Sequence, residues 1–546
     1  MNGLWARLER LLHRETHAAR LQHRDLMAQP VEDRVERGDS LAGLTFLGES
    51  EAGLRLRCAE NLAKFRSGDP LRLSNGDDDP GIAVTYHAFD DATGTVTVER
   101  DPWKQGGRFD PSRPLQLDPV DGSLNALALE AIELLLARRT AEAEAARAVL
   151  ERRAEVRDGR PVELIQGPPG SGKTHRLAHA VAAMARGGER VLVTAHTHRA
   201  VNQALRRLAE VAPDVEVVKA GKPAGADDLR RTRVIQAPSM RRLPRGDGRP
   251  RVVGTTVFGL KAAWDLPPFD RVVFDEAAQI PLAYAPCAML CGGRFLLVGD
   301  HRQLGPIVVG DHDEPLAQRS LFEHLAETYE PELLRTTWRM NAGINDFPSR
   351  AFYGGLLRPS PEAAARRFPA VPGGPFDACF DPEAPAVLAL VDHEGFRTRC
   401  EREARAVADL AADLLVRQGL AATDVAIVSP YRAQLRMIRT LLRRLVPSPK
   451  PLPVIDTVER IQGQEREAVI VSLCASDPEW LASDQAHFFF SPNRLNVTLT
   501  RARTKLVVVA SPRVFDAFPH RLETLVDADR FRRMKAALPT VVIGDR

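Results

Sequence analysis

Leu164-Ile165-Gln166-Gly167-Pro168-Pro169-Gly170-Ser171-Gly172-Lys173-Thr174 decides how this chain is read. Val162, Leu164 and Ile165 make a short apolar strand, a Gly/Pro-rich turn follows, and a helical pattern then runs toward Met184. The spacing G-x-x-x-x-G-K-T is the P-loop signature. Its glycines let successive backbone N–H groups curl around a phosphate with no Cβ in the way, and the following helix points its positive end at the same anion. Gly167, Pro168, Pro169, Gly170, Ser171 and Gly172 would form the cradle. Lys173 would reach the β- and γ-phosphates, and the Thr174 hydroxyl would sit on Mg²⁺. The expected ligand is a nucleoside triphosphate with Mg²⁺.

Outward from this loop the chain alternates strand and helix. Apolar runs at 191–194, 252–254, 271–274 and 295–298 are separated by helical segments, the mark of a parallel sheet buried on both faces. A second set follows at 387–390, 425–428, 469–473 and 506–510. The class is therefore α/β, with two α/β units in tandem and a P-loop only in the first. Gly/Pro-rich stretches at 369–375 and 447–453 read as surface connections.

Ahead of the P-loop, 124–156 reads as one Ala-rich helix. Leu124, Leu127, Ala131, Leu134 and Leu135 lie on one face, and its distal half is polar almost all round. Short alternating strands at 44–46, 54–57, 71–73 and 95–98, with turns at Asn75-Gly76 and 90–94, suggest a small β-barrel or a β-sandwich. Residues 3–37 carry a helical stripe (Leu4, Leu8, Leu11, Leu12, Leu21) that Pro30 should end.

At 546 residues the chain exceeds a single core. A net charge of +3 announces no global field, so a nucleic-acid surface must be a local basic track. The six cysteines (Cys58, Cys287, Cys291, Cys379, Cys400, Cys474) form no C-x-x-C pair, which argues against zinc and iron–sulfur ligation. No signal-peptide core and no apolar run of membrane-spanning length occurs, so no membrane partner is expected and the expected location is cytoplasmic.

Asp275-Glu276-Ala277-Ala278-Gln279 follows the apolar residues 272–274. A P-loop site needs a carboxylate at the end of a neighbouring strand to hold Mg²⁺, which suits Asp275, and Glu276 beside it could take a proton from attacking water. Gly299-Asp300-His301-Arg302-Gln303-Leu304-Gly305-Pro306 ends another strand in a tight turn, where Gln303 would meet the γ-phosphate or the water. D-E-A-A-Q followed by G-D-x-x-Q-L-x-P resembles superfamily 1 helicases of subfamily B. The particular wording resembles the group containing the nonsense-mediated mRNA decay helicase and the immunoglobulin-mu-binding helicases.

The resemblance continues through Thr337-Trp338-Arg339-Met340-Asn341, Phe347-Pro348-Ser349, Phe352-Tyr353-Gly354, Ser429-Pro430-Tyr431-Arg432-Ala433-Gln434, Asp456-Thr457-Val458 and Gln462-Gly463-Gln464-Glu465. It ends with Asn493-Arg494-Leu495-Asn496-Val497-Thr498-Leu499-Thr500-Arg501-Ala502-Arg503. It implies two tandem RecA-like parallel-sheet domains with an N-terminal helical stalk (1–40) and a small β-barrel (41–118). The first RecA-like domain would span 119–336 and the second 337–546. No nuclease block or cysteine cluster precedes the motor motifs, which points away from the nuclease-fused relatives.

The resemblance also implies roles. Lys173, Glu276 and Gln303 serve hydrolysis, Arg339 and Arg501 act as arginine fingers, and Glu465 binds the ribose. Thr197, His198, Thr255, Thr256, Pro430, Tyr431 and Thr457 would touch a nucleic-acid backbone. The family's adenine-reading glutamine is missing. Ala128 stands in its place after Leu124-Asn125-Ala126-Leu127, and Trp338 replaces the stacking tyrosine. Asn125 is the candidate substitute reader. The implied function is a monomeric, nucleic-acid-stimulated ATPase moving 5′ to 3′ on single-stranded DNA or RNA. The alternative is an ATP-gated clamp without processive unwinding. A metabolic P-loop kinase is disfavoured, because the second α/β unit carries motor motifs and no acceptor site.

Overall fold

The computed structural model describes residues 3–50, 53–58, 61, 63–65, 68–90, 93–100, 107–120, 124–154, 161–221, 227–229, 231–244, 251–310, 312–446 and 451–544. Parts of three expected features lie outside them: Asp91 and Ala92 of a turn, 447–450 of a surface loop, and the last two residues of the 124–156 helix. The chain divides into two compact units. One holds Met1–Leu164, Thr174–Gly299 and Pro306–Pro331; the other holds Ile165–Lys173, Asp300–Gly305 and Glu332–Arg546. The P-loop and the Gln303 turn thus group with the second α/β fold.

In the first unit, β1 (Leu41–Ser50), β2 (Gly53–Arg57), β3 (Pro70–Ser74), β4 (Ile82–Asp90), β5 (Thr95–Arg100) and β6 (Leu115–Pro119) close a barrel in the order β1-β2-β5-β4-β3-β6. This resolves the barrel-or-sandwich alternative. Alternation puts Leu54, Leu56, Leu71, Leu73, Val96, Val98, Leu115 and Leu117 inside. The sequence pattern hid β4, because a register shift between Tyr86 and Ala88 breaks its alternation.

Two helical expectations need correction. Helix α1 (Gly3–Met27) ends before Pro30, and Pro30 instead caps the start of a second short helix, α2 (Val31–Glu36). The 124–156 segment is two helices, α3 (Asn125–Ala137) and α4 (Ala141–Leu150), and the Thr140 hydroxyl caps the second by accepting from the Ala143 amide. Nor is α4 polar all round: it buries Ala143, Ala146, Val149 and Leu150. Its alanines are a close-packing face that a hydrophobicity count undervalues. Trp5, Leu8 and Leu12 of α1 and Ala128, Ala131, Ile132 and Leu135 of α3 share that core.

The first unit's sheet contains β7 (Val162–Gln166), β8 (Val191–Ala195), β9 (Glu216–Ala220), β10 (Ile235–Ala237), β11 (Arg251–Thr256), β12 (Arg271–Phe274) and β13 (Phe295–Gly299), in the order β10-β9-β11-β8-β12-β13-β7. Helices α5 (Lys173–Arg186) and α6 (His198–Val211) cover it through Leu177, Val181, Leu205 and Leu208. In the second unit, β14 (Glu332–Leu333) pairs with Ile165 and Gln166, and β15 (Thr336–Thr337) pairs with β16 (Arg358–Pro359). Strands β17 (Ala386–Leu390), β18 (Val425–Val428), β19 (Val454–Asp456), β20 (Arg466–Ser472), β21 (Ala502–Ala510) and β22 (Thr540–Val542) form a parallel sheet ordered β19-β18-β20-β21-β17-β22. Its two faces pack against separate apolar cores, as parallel sheets require.

Candidate nucleotide and nucleic-acid sites

The P-loop is shaped by contacts that exclude side chains. Gly170 and Gly172 adopt φ of +71° and +79°, torsions that favour glycine. A Cβ on Gly167 would lie 1.9 Å from Lys173 Cγ, and one on Gly170 would lie 2.4 Å from Arg339 Cβ. The Lys173 ammonium donates to the Gly167 carbonyl at 2.8 Å. The Ser171 hydroxyl is buried and has no hydrogen-bond partner among the described residues. An orphaned hydroxyl, a lysine folded back on its loop and a cradle that admits no Cβ fit a bound polyphosphate.

The arginine-bearing segment sits on this loop. Thr337 Oγ1 donates to the Pro169 carbonyl at 2.9 Å, and the Trp338 amide donates to the Gly170 carbonyl at 2.8 Å. Trp338 leaves 56% of its surface exposed, an open aromatic plane beside the loop. Arg339 donates through Nε to Glu465 at 2.8 Å and through a terminal nitrogen to the Thr500 carbonyl at 2.9 Å. Burial alone would lift the Glu465 carboxyl, but the charge and hydrogen bond of Arg339, with Arg503 and Arg366 nearby, hold it below its ordinary value. Arg501 is buried and bonds the Val497 carbonyl at 2.8 Å, the Gln464 carbonyl at 3.3 Å and Thr500 Oγ1 at 3.2 Å. Both arginines are held ready by carbonyls rather than left loose.

Asp300 organises the sensing turn, a role the motif reading left unassigned. Its carboxylate accepts from Gln166 Nε2 at 3.1 Å, Gln303 Nε2 at 2.7 Å and the Tyr353 hydroxyl at 2.7 Å. Asn496 Nδ2 in turn donates to the Tyr353 hydroxyl and to the Arg302 carbonyl, each at 2.7 Å. Burial and the Asp300 charge push the Tyr353 phenol well above its ordinary value, so it stays a donor. One hydrogen-bonded relay thus joins the strand entering the P-loop, the Gln303 turn and the helix Pro492–Leu499. Asp300, Tyr353 and Asn496 all lie inside quoted motifs, which was the signal available.

In the first unit, Asp275 is buried at the carboxyl end of β12, and its amide donates to the Thr194 carbonyl at 2.8 Å. Glu276 is left-handed at φ +47°, uncommon for a residue with a Cβ. Its amide donates to Asp275 Oδ1 at 2.9 Å, and its carboxylate accepts from Gln279 at 3.3 Å. Thr174 and Asp275 offer the hard oxygen donors Mg²⁺ prefers. Thr255 and Thr256 pair with Thr194 and Ala195, so these candidates share one sheet edge. Thr197 caps α6, its Oγ1 accepting from the Ala200 amide at 3.2 Å. His198 Nδ1 lies 3.0 Å from the ammonium of the buried Lys219. Burial, then that charge, push His198 down to about 4, and burial brings Lys219 down to about 8. Asn125 is engaged in the stalk joint: it donates to Thr16 Oγ1 at 3.1 Å and accepts from the Tyr284 hydroxyl at 2.5 Å.

In the second unit, Pro430 and Tyr431 leave β18 and Thr457 leaves β19, adjacent strands in register at Val428 and Asp456. The Tyr431 hydroxyl is buried without a hydrogen-bond partner among the described residues, and its ring meets Trp480 edge-on at 6.3 Å.

Residues 140–243 and 317–513 each match a family model described as an AAA domain. The chain is 29% identical over 420 residues to the DNA replication ATP-dependent helicase/nuclease DNA2 of Mus musculus, covering 69% of this chain and 38% of that protein. It is 31% identical over 275 residues to the DNA-binding protein SMUBP-2 of Mesocricetus auratus, covering 47% of this chain and 26% of that protein. The chain therefore spans well under half the length of these curated relatives. Among solved structures it is similar to an arterivirus nonstructural protein 10 (helicase), with 14% identity, a TM-score of 0.41, and coverage of 88% of this chain and 80% of that one. Fold and loop define a P-loop nucleotide-binding protein with tandem RecA-like sheets. The chain belongs to the superfamily 1 helicases, in the group related to the nonsense-mediated decay and immunoglobulin-mu-binding helicases.

Proposed function

We propose that this chain is an ATP-driven motor that moves 5′ to 3′ on single-stranded DNA or RNA and separates strands or remodels nucleoprotein. The observation that carries this reading is the seating of Thr337–Arg339 on the P-loop, which puts cationic side chains of the second α/β fold beside the phosphate cradle. Charge growing on the γ-phosphoryl oxygens needs cations positioned beforehand, and Lys173, Arg339 and Arg501 supply them. Mg²⁺, when bound through Thr174 and Asp275, would neutralise charge between the phosphates. Glu276 takes the proton of the attacking water, and Gln303, aligned by Asp300, reports the presence of the γ-phosphate through the Tyr353–Asn496 relay. Trp338 stacks on the base and Glu465 bonds the ribose after releasing Arg339. Thr197, His198, Thr255, Thr256, Pro430, Tyr431 and Thr457 face the nucleic-acid backbone.

Cys287, Cys291, Cys379, Cys400 and Cys474 are buried thiols outside any disulfide, in keeping with the reducing cytoplasm we assign it. We assign it a monomeric mode of action. The test pairs single-strand-stimulated ATP hydrolysis, on RNA and on DNA, with displacement of a labelled strand from a 5′-tailed duplex. We expect stimulation and displacement together. Stimulated hydrolysis without displacement would make it an ATP-gated clamp, and absence of both would end the motor reading.

A further inference from the structure

Residues 391–400 leave β17 with a sharp division of burial. Val391, His393 and Cys400 are buried, whereas 394–399 face solvent. Beneath them lies a polar floor. His393 Nε2 bonds Glu403 Oε2 at 2.9 Å, and its Nδ1 lies 2.8 Å from Ser476 Oγ. Glu403 Oε1 accepts from the Ser472 hydroxyl at 2.6 Å and the Cys474 amide at 2.8 Å. Glu403, Ser472 and Ser476 are completely buried. A buried carboxylate is costly unless paired and hydrogen-bonded, and here every neighbour satisfies it.

The loop spans the carboxyl edge of the sheet. The Ser511 hydroxyl at the end of β21 donates to the His393 carbonyl at 2.6 Å. The Ser476 and Asp477 amides beyond β20 donate to the Phe396 carbonyl at 2.6 and 3.0 Å. The Cys400 amide donates to Gln434 Oε1 at 2.8 Å, three residues past Tyr431 on the chain leaving β18. The loop therefore runs over β21 and β20 to the exit of β18, along the edge that carries Pro430, Tyr431 and Thr457.

Its outer face is not that of a plain connection. Phe396 is 40% exposed, and His393 holds the ring edge-on at 5.7 Å. Arg397 makes an exposed pair with Asp477 at 2.6 Å, and Glu394 is paired with Arg513 at 2.7 Å. Arg399 is exposed and, among the described residues, makes no ion pair. Asp392 is the remaining acid, and Arg402 donates to its carbonyl.

We propose that residues 394–399 are part of the single-strand track of the second unit, with Phe396 as a base-stacking surface and Arg399, aided by Arg397, as a phosphate contact. This rests on the motor reading above. A ring held from below by a rigid polar floor loses little freedom when a base stacks on it, and stacking tolerates any base.

The test is fluorescence anisotropy of labelled oligothymidylate and oligouridylate with the full chain. Phe396→Ala should weaken binding about 5- to 150-fold. Phe396→Leu, which keeps apolar bulk but no π-face, should weaken it as much, whereas Phe396→Trp should retain it. Arg399→Gln should reduce the slope of log affinity against log salt by about 0.7, the share of one phosphate contact on a single strand. Binding by Phe396→Ala within about twofold of wild type, or rescue by leucine as good as by tryptophan, overturns the stacking role, and an unchanged slope strikes out Arg399. If the wild-type chain binds neither oligomer, the motor reading falls and the loop with it. Wild-type binding beside unaffected variants overturns the loop alone.

Discussion

In the proposed mechanism Lys173 and Glu276 serve different moments of hydrolysis, and their variants should separate. Lys173→Ala removes the ammonium that meets charge on the β- and γ-phosphates, and turnover should fall to background. Glu276→Gln should still bind ATP and grip nucleic acid while turnover drops by at least about a hundredfold, the usual share of a general base. More than about a tenth of wild-type turnover in Glu276→Gln would remove it from that role. Arg339→Ala and Arg501→Ala should lower kcat by about 10³- to 10⁵-fold with much smaller effects on nucleotide affinity. An unchanged kcat in either would leave that arginine a structural tie to its carbonyls. Base selection belongs to this scale as well. A site that hydrogen-bonds a base edge can reject the wrong base by about 10⁴- to 10⁵-fold. Ala128 is completely buried and Asn125 is engaged with Thr16 and Tyr284, while Trp338 presents only a plane. GTP and CTP should therefore be hydrolysed with kcat/KM within about tenfold to a hundredfold of ATP. Preference for ATP by about a thousandfold, erased by Asn125→Ala, would sink this expectation and make Asn125 the reader.

Among elements, the Tyr353 phenol adds a link between Asp300 and the helix Pro492–Leu499 to the direct bonds that Asn496 and Asn493 donate to the Arg302 and His301 carbonyls. Tyr353→Phe keeps the ring in its core and deletes the hydroxyl that Asp300 accepts from and Asn496 donates to. Losing these two hydrogen bonds should cost about 1–3 kcal/mol in denaturant unfolding. The relay predicts more than lost stability. Single-strand stimulation of hydrolysis should shrink while unstimulated turnover changes little, because the Asp300–Tyr353–Asn496 link is cut. Equal loss of both rates would reduce Tyr353 to a packing residue. The Gly170 contact with Thr337 and Arg339 explains why the tie is close: at φ +71° and with Arg339 Cβ 2.4 Å from a would-be Cβ, no other residue fits there.

At the scale of the whole molecule, two buried groups, His393 and Lys219, should respond to alkali in opposite directions. Burial alone would lower the His393 value, but hydrogen bonds to Cys400 and Glu403 and the Glu403 charge outweigh it and raise it to about 9. Its contribution is fully present below the unfolded value of 6.5 and is lost as pH rises through 9, a change on the order of 3 kcal/mol. Lys219 in the first unit is lowered to about 8 from 10.5, so the unfolded chain binds more protons between those values and that unit gains stability as pH rises through them. Unfolding followed from pH 6.5 to 8 should show the second unit weakening, and His393→Gln should flatten that slope; above pH 8 Lys505, lowered to about 8 in the same unit, opposes the loss. A second unit equally stable at pH 6.5 and 8 would contradict the buried imidazolium.

What the sequence determined is local and repetitive. The P-loop was legible because glycine spacing encodes the torsions the loop needs, and Gly170 and Gly172 adopt them. Strands such as β12 and β18 were legible to the residue because parallel strands buried on both faces read as unbroken apolar runs. The order of motifs around Asp275, Gln303, Arg339 and Arg501 carried the family. Only the tertiary structure placed Asp300, Tyr353 and Asn496 in one relay and Asn125 in the stalk joint, because hydrogen bonds between residues 53 to 159 positions apart leave no period in the chain. It alone showed that Lys219 in β9 and Glu403 under the 394–399 loop are interior residues. A charged side chain reads as surface in sequence, and only the partners folded around it make its burial affordable.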